Sequence, residues 1–225
     1  MRLVTYYTPS HREMCERFVL SRSHGFTDVR FSECQQLCPT GEFKSDGWNE
    51  CMLDKLRTLL SLPVDGEPTL YVDADVCLRK GLAEWCMSSI ADHDFHAVGY
   101  SDDVLQWCAG VMLFRSTIRT HAWFRLIADL SPIWNAPDQD CIHALRSQCA
   151  ERKGGLPVPM WVAPGDQVCN WATVGGRSPW DGEKFDVPSS CVAWHANWTI
   201  GVENKWRMLE RVEALESRQA ASVAE

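Results

Sequence analysis

The chain has 225 residues, of which 45% are hydrophobic and 23% are charged, a composition typical of an ordinary globular protein with one large core. Its formal net charge of −8, without any cluster of lysines and arginines, argues against a nucleic-acid partner. No run of about 18 apolar residues occurs in the sequence, so no membrane span is predicted.

Short β-like runs alternate with stretches of helical spacing along the chain. Strands are predicted at 2–8, 27–32, 69–72, 97–100, 110–114, 157–163 and 191–194. Helices are predicted at 12–21, 48–62, 81–90, 117–130, 138–148 and 201–217, with a Gly/Pro-rich loop at 164–188. This alternation predicts one α/β domain over residues 1–219, with a mainly parallel central sheet flanked by helices, and a flexible tail at 220–225.

Eleven cysteines are scattered along the chain without a Cys-x-x-Cys pair, so a zinc site is not predicted. The N-terminal segment lacks the long apolar core of a signal peptide. We therefore expect reduced thiols that behave as small hydrophobic side chains in a cytoplasmic protein.

Two carboxylates lie one residue apart at the end of the predicted strand 69–72. If this strand stays extended, its side-chain period of two places Asp73 and Asp75 on the same side. Such a pair is repulsive unless a cation lies between the carboxylates, and oxygen ligands suit Mg²⁺ or Mn²⁺. In parallel sheets, ligands gather beyond the carboxyl ends of the strands. The hypothesis is a divalent metal site; the alternative is that the pair caps the following turn.

A histidine near the C-terminus could complete such a site. His195 follows the last predicted strand, and a neutral imidazole is a good ligand for Mn²⁺. Gly201 and Lys205 follow at the entry to the last predicted helix, where a backbone amide and an ammonium group could hold phosphate. The alternatives are a histidine packed in the core and a solvated lysine.

Two further motifs could contact a sugar. Asp138, Gln139 and Asp140 combine carboxylate and amide groups that can bind sugar hydroxyls, although the helix dipole alone favours acidic residues at a helix start. Gly110 opens a predicted buried strand, where glycine permits close approach of a ligand or simply marks a bend.

Four motifs in order resemble those of the GT-A class of nucleotide-diphospho-sugar transferases. They are Asp73-Ala74-Asp75, Cys108-Ala109-Gly110, Asp138-Gln139-Asp140, and His195-Ala196-Asn197-Trp198 with Gly201 and Lys205. Within that class the chain is similar to the small single-domain glycosyltransferases of large algal DNA viruses. The resemblance implies a Rossmann-like GT-A domain that transfers a hexosyl or pentosyl group from a nucleotide-sugar donor to a glycan or glycoprotein acceptor. A UDP-sugar and retention of configuration are slightly favoured, and a viral protein would act in the host cytoplasm.

The resemblance also implies roles for individual residues. The implied ligands of Mn²⁺ or Mg²⁺ are Asp73, Asp75 and His195. The implied donor contacts are Thr5, Tyr6 and Tyr7 at the base, Ala109 and Gly110 at the sugar, Asp73 toward the ribose, Lys55, Gly201 and Lys205. Asp138, Gln139 and Asp140 would act near the anomeric carbon, by positioning the sugar or, for either aspartate, as a base. Cys108 stands where many relatives have asparagine, and a solvated charge is the alternative for Lys55.

Two other function classes stay open on the sequence alone. A haloacid-dehalogenase-type phosphatase would use Asp73 as its nucleophile and Asp166 as a later acidic residue, although Asn170 stands where that class has a carboxylate. A module that binds a nucleotide-sugar without turnover would have the same binding residues.

Overall fold

The computed structural model describes residues 1–39, 45–91, 95–100, 103–151 and 160–224. Of these, residues 95–100, 103–107, 149–151, 160 and 220–224 are described by their backbone only. The strands are β1 (Arg2–Tyr7), β2 (Asp28–Glu33), β3 (Pro68–Asp73), β4 (Val76–Leu78), β5 (Phe95–Tyr100), β6 (Asp103–Arg115), β7 (Met160–Ala163), β8 (Val168–Cys169) and β9 (Ala193–His195). The α-helices are α1 (Arg12–Phe18), α2 (Trp48–Leu60), α3 (Leu82–Ser89), α4 (Ile118–Trp134), α5 (Asp138–Glu151) and α6 (Val202–Ala224).

A six-stranded sheet in the order β2-β1-β3-β6-β5-β7 forms the centre of the molecule. Strand β6 is antiparallel to both of its neighbours, and the other five strands run in one direction. The predicted α/β fold with a mainly parallel sheet is therefore confirmed, with β6 as the exception.

Helices cover both faces of this sheet, so its central strands are buried on both sides. In β3, Tyr71 packs in the core on the α2, α4 and α5 face, whereas Leu70 and Val72 pack on the α1 and α3 face. This arrangement explains why β3 has a continuous apolar run instead of an alternating one. Helix α4 contributes Phe124, whose ring meets Phe114 of β6 edge to face with centroids 5.0 Å apart.

A second sheet, in the order β4-β9-β8, brings distant parts of the chain together. Strand β4 pairs with β9 in an antiparallel register that places Val76 opposite His195. The backbone N–H of Ala196 also donates to the carbonyl of Asp75 over 2.9 Å. Helix α6 packs on a core next to this sheet through Met208 and other buried residues. The end of β3 is thereby joined to the C-terminal quarter of the chain.

The structure differs from the sequence prediction mainly at element ends and in the shortest strands. Strands β4 and β8, with three and two residues, were not predicted because such short strands depend on their tertiary partners instead of a local pattern. Strand β6 begins at Asp103, well before residue 110, and α6 continues past residue 217 to Ala224. Residues 157–159 of the predicted strand 157–163 lie outside the described residues. In the part of the chain that is described, no helix has the length and apolar character needed to cross a membrane.

Candidate functional site

Three potential metal ligands converge beyond the end of β3. Asp73 is its last residue, Asp75 lies in the turn that follows, and His195 ends β9. One ligand atom from each of the three lies within 4.8 Å of the others. His195 Nε2 is 3.2 Å from Asp75 Oδ1 and 3.8 Å from Asp73 Oδ2. An aspartate pair from mid-chain and a histidine about 120 residues later therefore face one point.

The two carboxylates converge for a different reason from the one that strand periodicity suggests. The strand does not stay extended, because Ala74 and Asp75 form a turn between β3 and β4. Pairing of β4 with β9 places His195 opposite Val76, and the imidazole lies between the two carboxylates as a result. The expectation of an extended strand through Asp75 was wrong, and the turn and the second sheet provide the convergence instead.

The glycine at position 110 leaves the space in which these groups meet. A Cβ atom on Gly110 would lie 2.2 Å from His195 Cε1 and 2.7 Å from Asp73 Oδ2. Both separations are far below van der Waals contact, so no larger residue fits without moving His195 or Asp73. The sequence offered close approach of a ligand or a bend as the reason for Gly110, and the geometry adds a third, close packing against the side chains of His195 and Asp73.

A lysine from α6 completes the charge pattern around Asp75. Lys205 Nζ is 2.7 Å from Asp75 Oδ2, and both side chains are largely buried. Burial opposes ionisation of Asp75, but Lys205 and His195 outweigh it and hold the pKa of this carboxyl well below its ordinary value. Burial likewise opposes a charge on His195, but Cys108 and Asp75 raise the pKa of the imidazole well above its ordinary value.

A second lysine is buried beneath the site. Lys55 of α2 has only 1% of its surface exposed, which excludes the solvated charge considered from the sequence. Its Nζ lies 2.8 Å from Asp138 Oδ2 and 3.4 Å from Asp73 Oδ1. Burial acts to lower the pKa of Lys55, but Asp138 and Asp73 outweigh it and raise that pKa. Burial raises the pKa of Asp138 although Lys55 opposes the change. The lysine thus links α2, β3 and α5 below the site.

All three potential ligands line a cleft with a volume of about 610 Å³. Most of the predicted donor contacts and catalytic residues line it too: Tyr6, Tyr7, Lys55, Ala109, Gly110, Asp138, Gln139, Asp140 and Lys205. Gln139 accepts a hydrogen bond at Oε1 from the backbone N–H of Ala109 over 3.2 Å, which joins the start of α5 to β6. Asp140 is exposed in the cleft.

Two predicted contacts do not line this cleft. Thr5 is fully buried, with its hydroxyl 3.8 Å from Cys15 Sγ, and it borders a separate groove beside β2 and α2. Gly201 precedes α6 with a φ of 84°, a left-handed conformation that glycine adopts without strain. Its carbonyl accepts the backbone N–H of Lys205 over 3.2 Å, so it supports the helix start that carries Lys205.

Three residues that line the cleft or contact its side chains were given no role from the sequence. The hydroxyl of Tyr71 donates to Asp73 Oδ1 over 2.6 Å, and its position two residues before Asp73 was a signal for this contact. Buried His11 also lines the cleft, and burial together with Lys205 lowers its pKa to about 4. Trp198 is 41% exposed in the cleft and has a φ of 60°, a strained value for a non-glycine residue. Trp198 belongs to the motif His195-Ala196-Asn197-Trp198 but was given no role there, and no local sequence signal indicated His11.

The ligand set fits a divalent cation of the Mn²⁺ type. Two carboxylate oxygens and an imidazole nitrogen combine hard donors with one borderline donor, and this combination suits Mn²⁺. Three protein ligands leave further coordination positions for a substrate or water. The missing Cβ of Gly110 also keeps His195 and Asp73 close enough to share an ion. Asp73, Asp75 and His195 are therefore a possible metal site.

Solved structures that share the fold of this chain include three glycosyltransferases. A glycosyltransferase involved in the glycosylation of the major capsid of PBCV-1 is 12% identical, with a TM-score of 0.59 over 94% of this chain and all of that one. The galactosyltransferase LgtC, in complex with donor and acceptor sugar analogues, is 14% identical, with a TM-score of 0.52 over 94% of this chain and 96% of its own. Mouse xyloside xylosyltransferase 1 is 11% identical, with a TM-score of 0.50 over 87% of this chain and 97% of its own.

The architecture is that of the GT-A glycosyltransferases, as the motifs had indicated. No protein-family model matches the chain, and no curated protein matches its sequence. At sequence identities of 11–14%, these matches are evidence for a shared fold but not for a shared activity. Proteins with one fold can have many different activities, so the function has to be argued from the site. The phosphatase alternative gains no support here. Asp166, its second acidic residue, does not line the cleft, and it accepts a hydrogen bond from Ser190 over 2.9 Å.

Proposed function

We propose that this chain is a metal-dependent glycosyltransferase that moves a sugar from a nucleoside diphosphate donor to a hydroxyl group of a glycan or glycoprotein acceptor. The observation that carries the proposal is the convergence of Asp73, Asp75 and His195 in the cleft of a GT-A fold. A UDP-sugar with Mn²⁺ is the favoured pair, since the imidazole among the ligands suits Mn²⁺ better than Mg²⁺. The cytoplasmic location expected from the thiols belongs to the same proposal.

The charges around the cleft support a diphosphate leaving group. A bound divalent cation would neutralise negative charge that develops on the departing diphosphate. Lys205 would assist from the start of α6, because its ammonium group lies 2.7 Å from Asp75 Oδ2 and is therefore next to the proposed metal ligands. Electrostatic stabilisation of this kind matters most in the transition state, where the leaving-group charge is largest.

The remaining cleft residues supply contacts for the rest of the donor. Tyr6 and Tyr7 lie at the end of β1, where their rings would contact the base. The sugar would lie against Ala109 and Gly110, with Gln139 within reach because its side chain already bonds the Ala109 backbone. Thr5 is not part of this proposal, because its side chain faces the core and not the cleft.

Retention of the anomeric configuration is the favoured outcome. An inverting reaction needs a general base for the acceptor hydroxyl. Asp138 is held in an ion pair with Lys55 at 2.8 Å and is only 2% exposed, so it is poorly placed to accept a proton from an acceptor. Asp140 is the exposed carboxylate of the same motif, and inversion would require it. NMR assignment of the product anomer, compared between the wild type and Asp140→Asn, distinguishes the two outcomes.

The first experiment measures the melting temperature with UDP or GDP, with Mn²⁺ or a chelator. A ligand that binds only the folded protein adds about 2.7 kcal/mol at 100 times its Kd, so the shift is readily measured. We expect UDP to stabilise the wild type only with Mn²⁺, and Asp75→Asn to lose this stabilisation. Asp166→Asn is the matched control, because its carboxylate lies outside the cleft.

If the chelator leaves UDP binding unchanged, the metal assignment is wrong. Mn²⁺-dependent binding of UDP-sugars without transfer or hydrolysis would instead identify a binding module. Release of inorganic phosphate from a phosphomonoester, with transient phosphorylation of Asp73, would support the phosphatase.

A further inference from the structure

A buried cysteine lies behind the imidazole of the proposed metal site. Cys108 of β6 is only 3% exposed, and its Sγ is 3.3 Å from His195 Nδ1. The other ring nitrogen, Nε2, is the one that faces the carboxylates, 3.2 Å from Asp75 Oδ1. The sulfur and the proposed coordination position are therefore on opposite sides of the ring.

The surroundings of the sulfur make it a hydrogen-bond acceptor. The backbone N–H of Gly110 donates to Cys108 Sγ over 3.3 Å, and the side-chain amide of Asn197 donates to it over 3.2 Å. His195 Nδ1 also lies 3.3 Å from this sulfur. A cation bound to Nε2 leaves the ring proton on Nδ1, so the sulfur would be the acceptor of Nδ1–H and the thiol hydrogen would point elsewhere.

We propose that Cys108 is a positioning residue for the metal centre, which accepts Nδ1–H of His195 and so directs the lone pair of Nε2 toward Asp73 and Asp75. This inference rests on the proposed function. A metal-binding histidine needs an acceptor for its second ring N–H, because that hydrogen bond fixes both the tautomer and the orientation of the ring. In other metal sites a carboxylate or a carbonyl commonly takes this part; here a sulfur atom takes it.

Cation binding requires the neutral imidazole, whose single proton can lie on either ring nitrogen, and loss of the acceptor at Nδ1 favours the tautomer that is protonated on Nε2. A neutral imidazole that carries its proton on Nε2 would donate it to Asp75 Oδ1 over the 3.2 Å that separates them. That tautomer has no lone pair directed at the carboxylates and cannot coordinate a cation there. Loss of the sulfur is therefore expected to weaken cation binding even when the backbone and the three ligands are unchanged.

The test measures the affinity for Mn²⁺ alone, by electron paramagnetic resonance titration of free Mn²⁺ without nucleotide or turnover. Cys108→Ala is expected to bind Mn²⁺ about 10- to 100-fold more weakly, the usual cost of losing such a partner. Cys108→Ser keeps an acceptor and is expected to retain most of the affinity, whereas Cys108→Val fills the space without one and is expected to resemble Cys108→Ala. Cys86→Ala, at a buried cysteine of α3 outside the cleft, is the control for loss of a buried thiol.

His195→Ala separates this inference from the proposed function. If His195→Ala binds Mn²⁺ as the wild type does, the proposed metal site itself is wrong. If His195→Ala binds weakly but Cys108→Ala binds normally, the metal site stands and the role of Cys108 is wrong. Equal loss in Cys108→Ala and Cys108→Ser, with Cys108→Val unaffected, would show that the residue only fills space, and that result also overturns the inference.

Discussion

Replacement of Gly110 by alanine tests whether close packing holds the site together. The added Cβ would lie 2.2 Å from His195 Cε1, about 1.3 Å short of the ~3.5 Å at which two carbon atoms pack without repulsion. It would also lie 2.7 Å from Asp73 Oδ2, so two of the three proposed ligands are displaced by one methyl group. Metal sites tolerate errors of roughly 0.2 Å in ligand distance, so a shift of about 1 Å removes a ligand from the coordination sphere.

The expected result of Gly110→Ala combines a moderate loss of stability with a severe loss of binding. Overpacking of a core position costs about 1–3 kcal/mol in the free energy of unfolding, which leaves most domains folded. Displacement of His195 and Asp73 should lower the affinity for Mn²⁺ at least as much as loss of a partner of a ligand does, by about 10- to 100-fold. Urea unfolding gives the first quantity, and Mn²⁺ titration of the folded protein gives the second.

Two other glycines provide matched controls. A Cβ on Gly176 would lie 2.3 Å from the Trp171 ring, a clash of similar severity outside the cleft, so Gly176→Ala should lose stability but keep its affinity for Mn²⁺. A Cβ on Gly165 would lie 3.4 Å from Thr173, and Gly165→Ala should change neither quantity much. Normal Mn²⁺ binding by Gly110→Ala, or weak binding by Gly176→Ala, would refute the reasoning.

Three further predictions concern the buried lysine, a salt bridge and the exposed tryptophan. Lys55→Met leaves Asp138 buried without its partner and should lower the free energy of unfolding by about 3–5 kcal/mol. The double variant Lys55→Met/Asp138→Leu removes both charges and should recover part of this loss. Urea unfolding measures both values, and a loss under about 1 kcal/mol in Lys55→Met would contradict the pairing. Burial acts to raise the pKa of Glu213, but Arg17 and Arg22 hold it below the ordinary 4.5. Its carboxylate therefore stabilises the fold by about 0.2–1 kcal/mol above that pH. We expect Glu213→Gln to have a lower free energy of unfolding than the wild type at pH 7, and this difference to vanish as the pH falls through the lowered pKa. A difference in the free energy of unfolding that does not depend on pH would show that charge is not the cause. Trp198→Ala should reduce sugar transfer while leaving Mn²⁺-dependent stabilisation by UDP unchanged, if the indole stacks on an acceptor sugar; equal loss of both would make it a donor contact.

Local sequence patterns were enough to predict much of the fold and one part of the site. The β-like run predicted at 69–72 is a strand that ends at Asp73. A strand that is buried on both faces has apolar side chains throughout, so the first charged residue indicates where the strand leaves the core. Helix α2 was predicted from residue 48 with nearly correct bounds, since its apolar residues recur at helical spacing. Strand β4 was missed, because three residues are too few to carry a pattern.

The amino-acid sequence by itself determined an α/β chain with an Asp-x-Asp motif at a strand end, because strand and helix formation depends on side chains that are near one another along the chain. Only the tertiary structure decided that Lys55 is buried against Asp138, and that Cys108 lies behind His195. Tertiary structure also set the 3.2 Å between His195 and Asp75 through pairing of β4 with β9. Contacts between residues so far apart along the chain depend on which strands pair and in which register, and no local pattern encodes that choice.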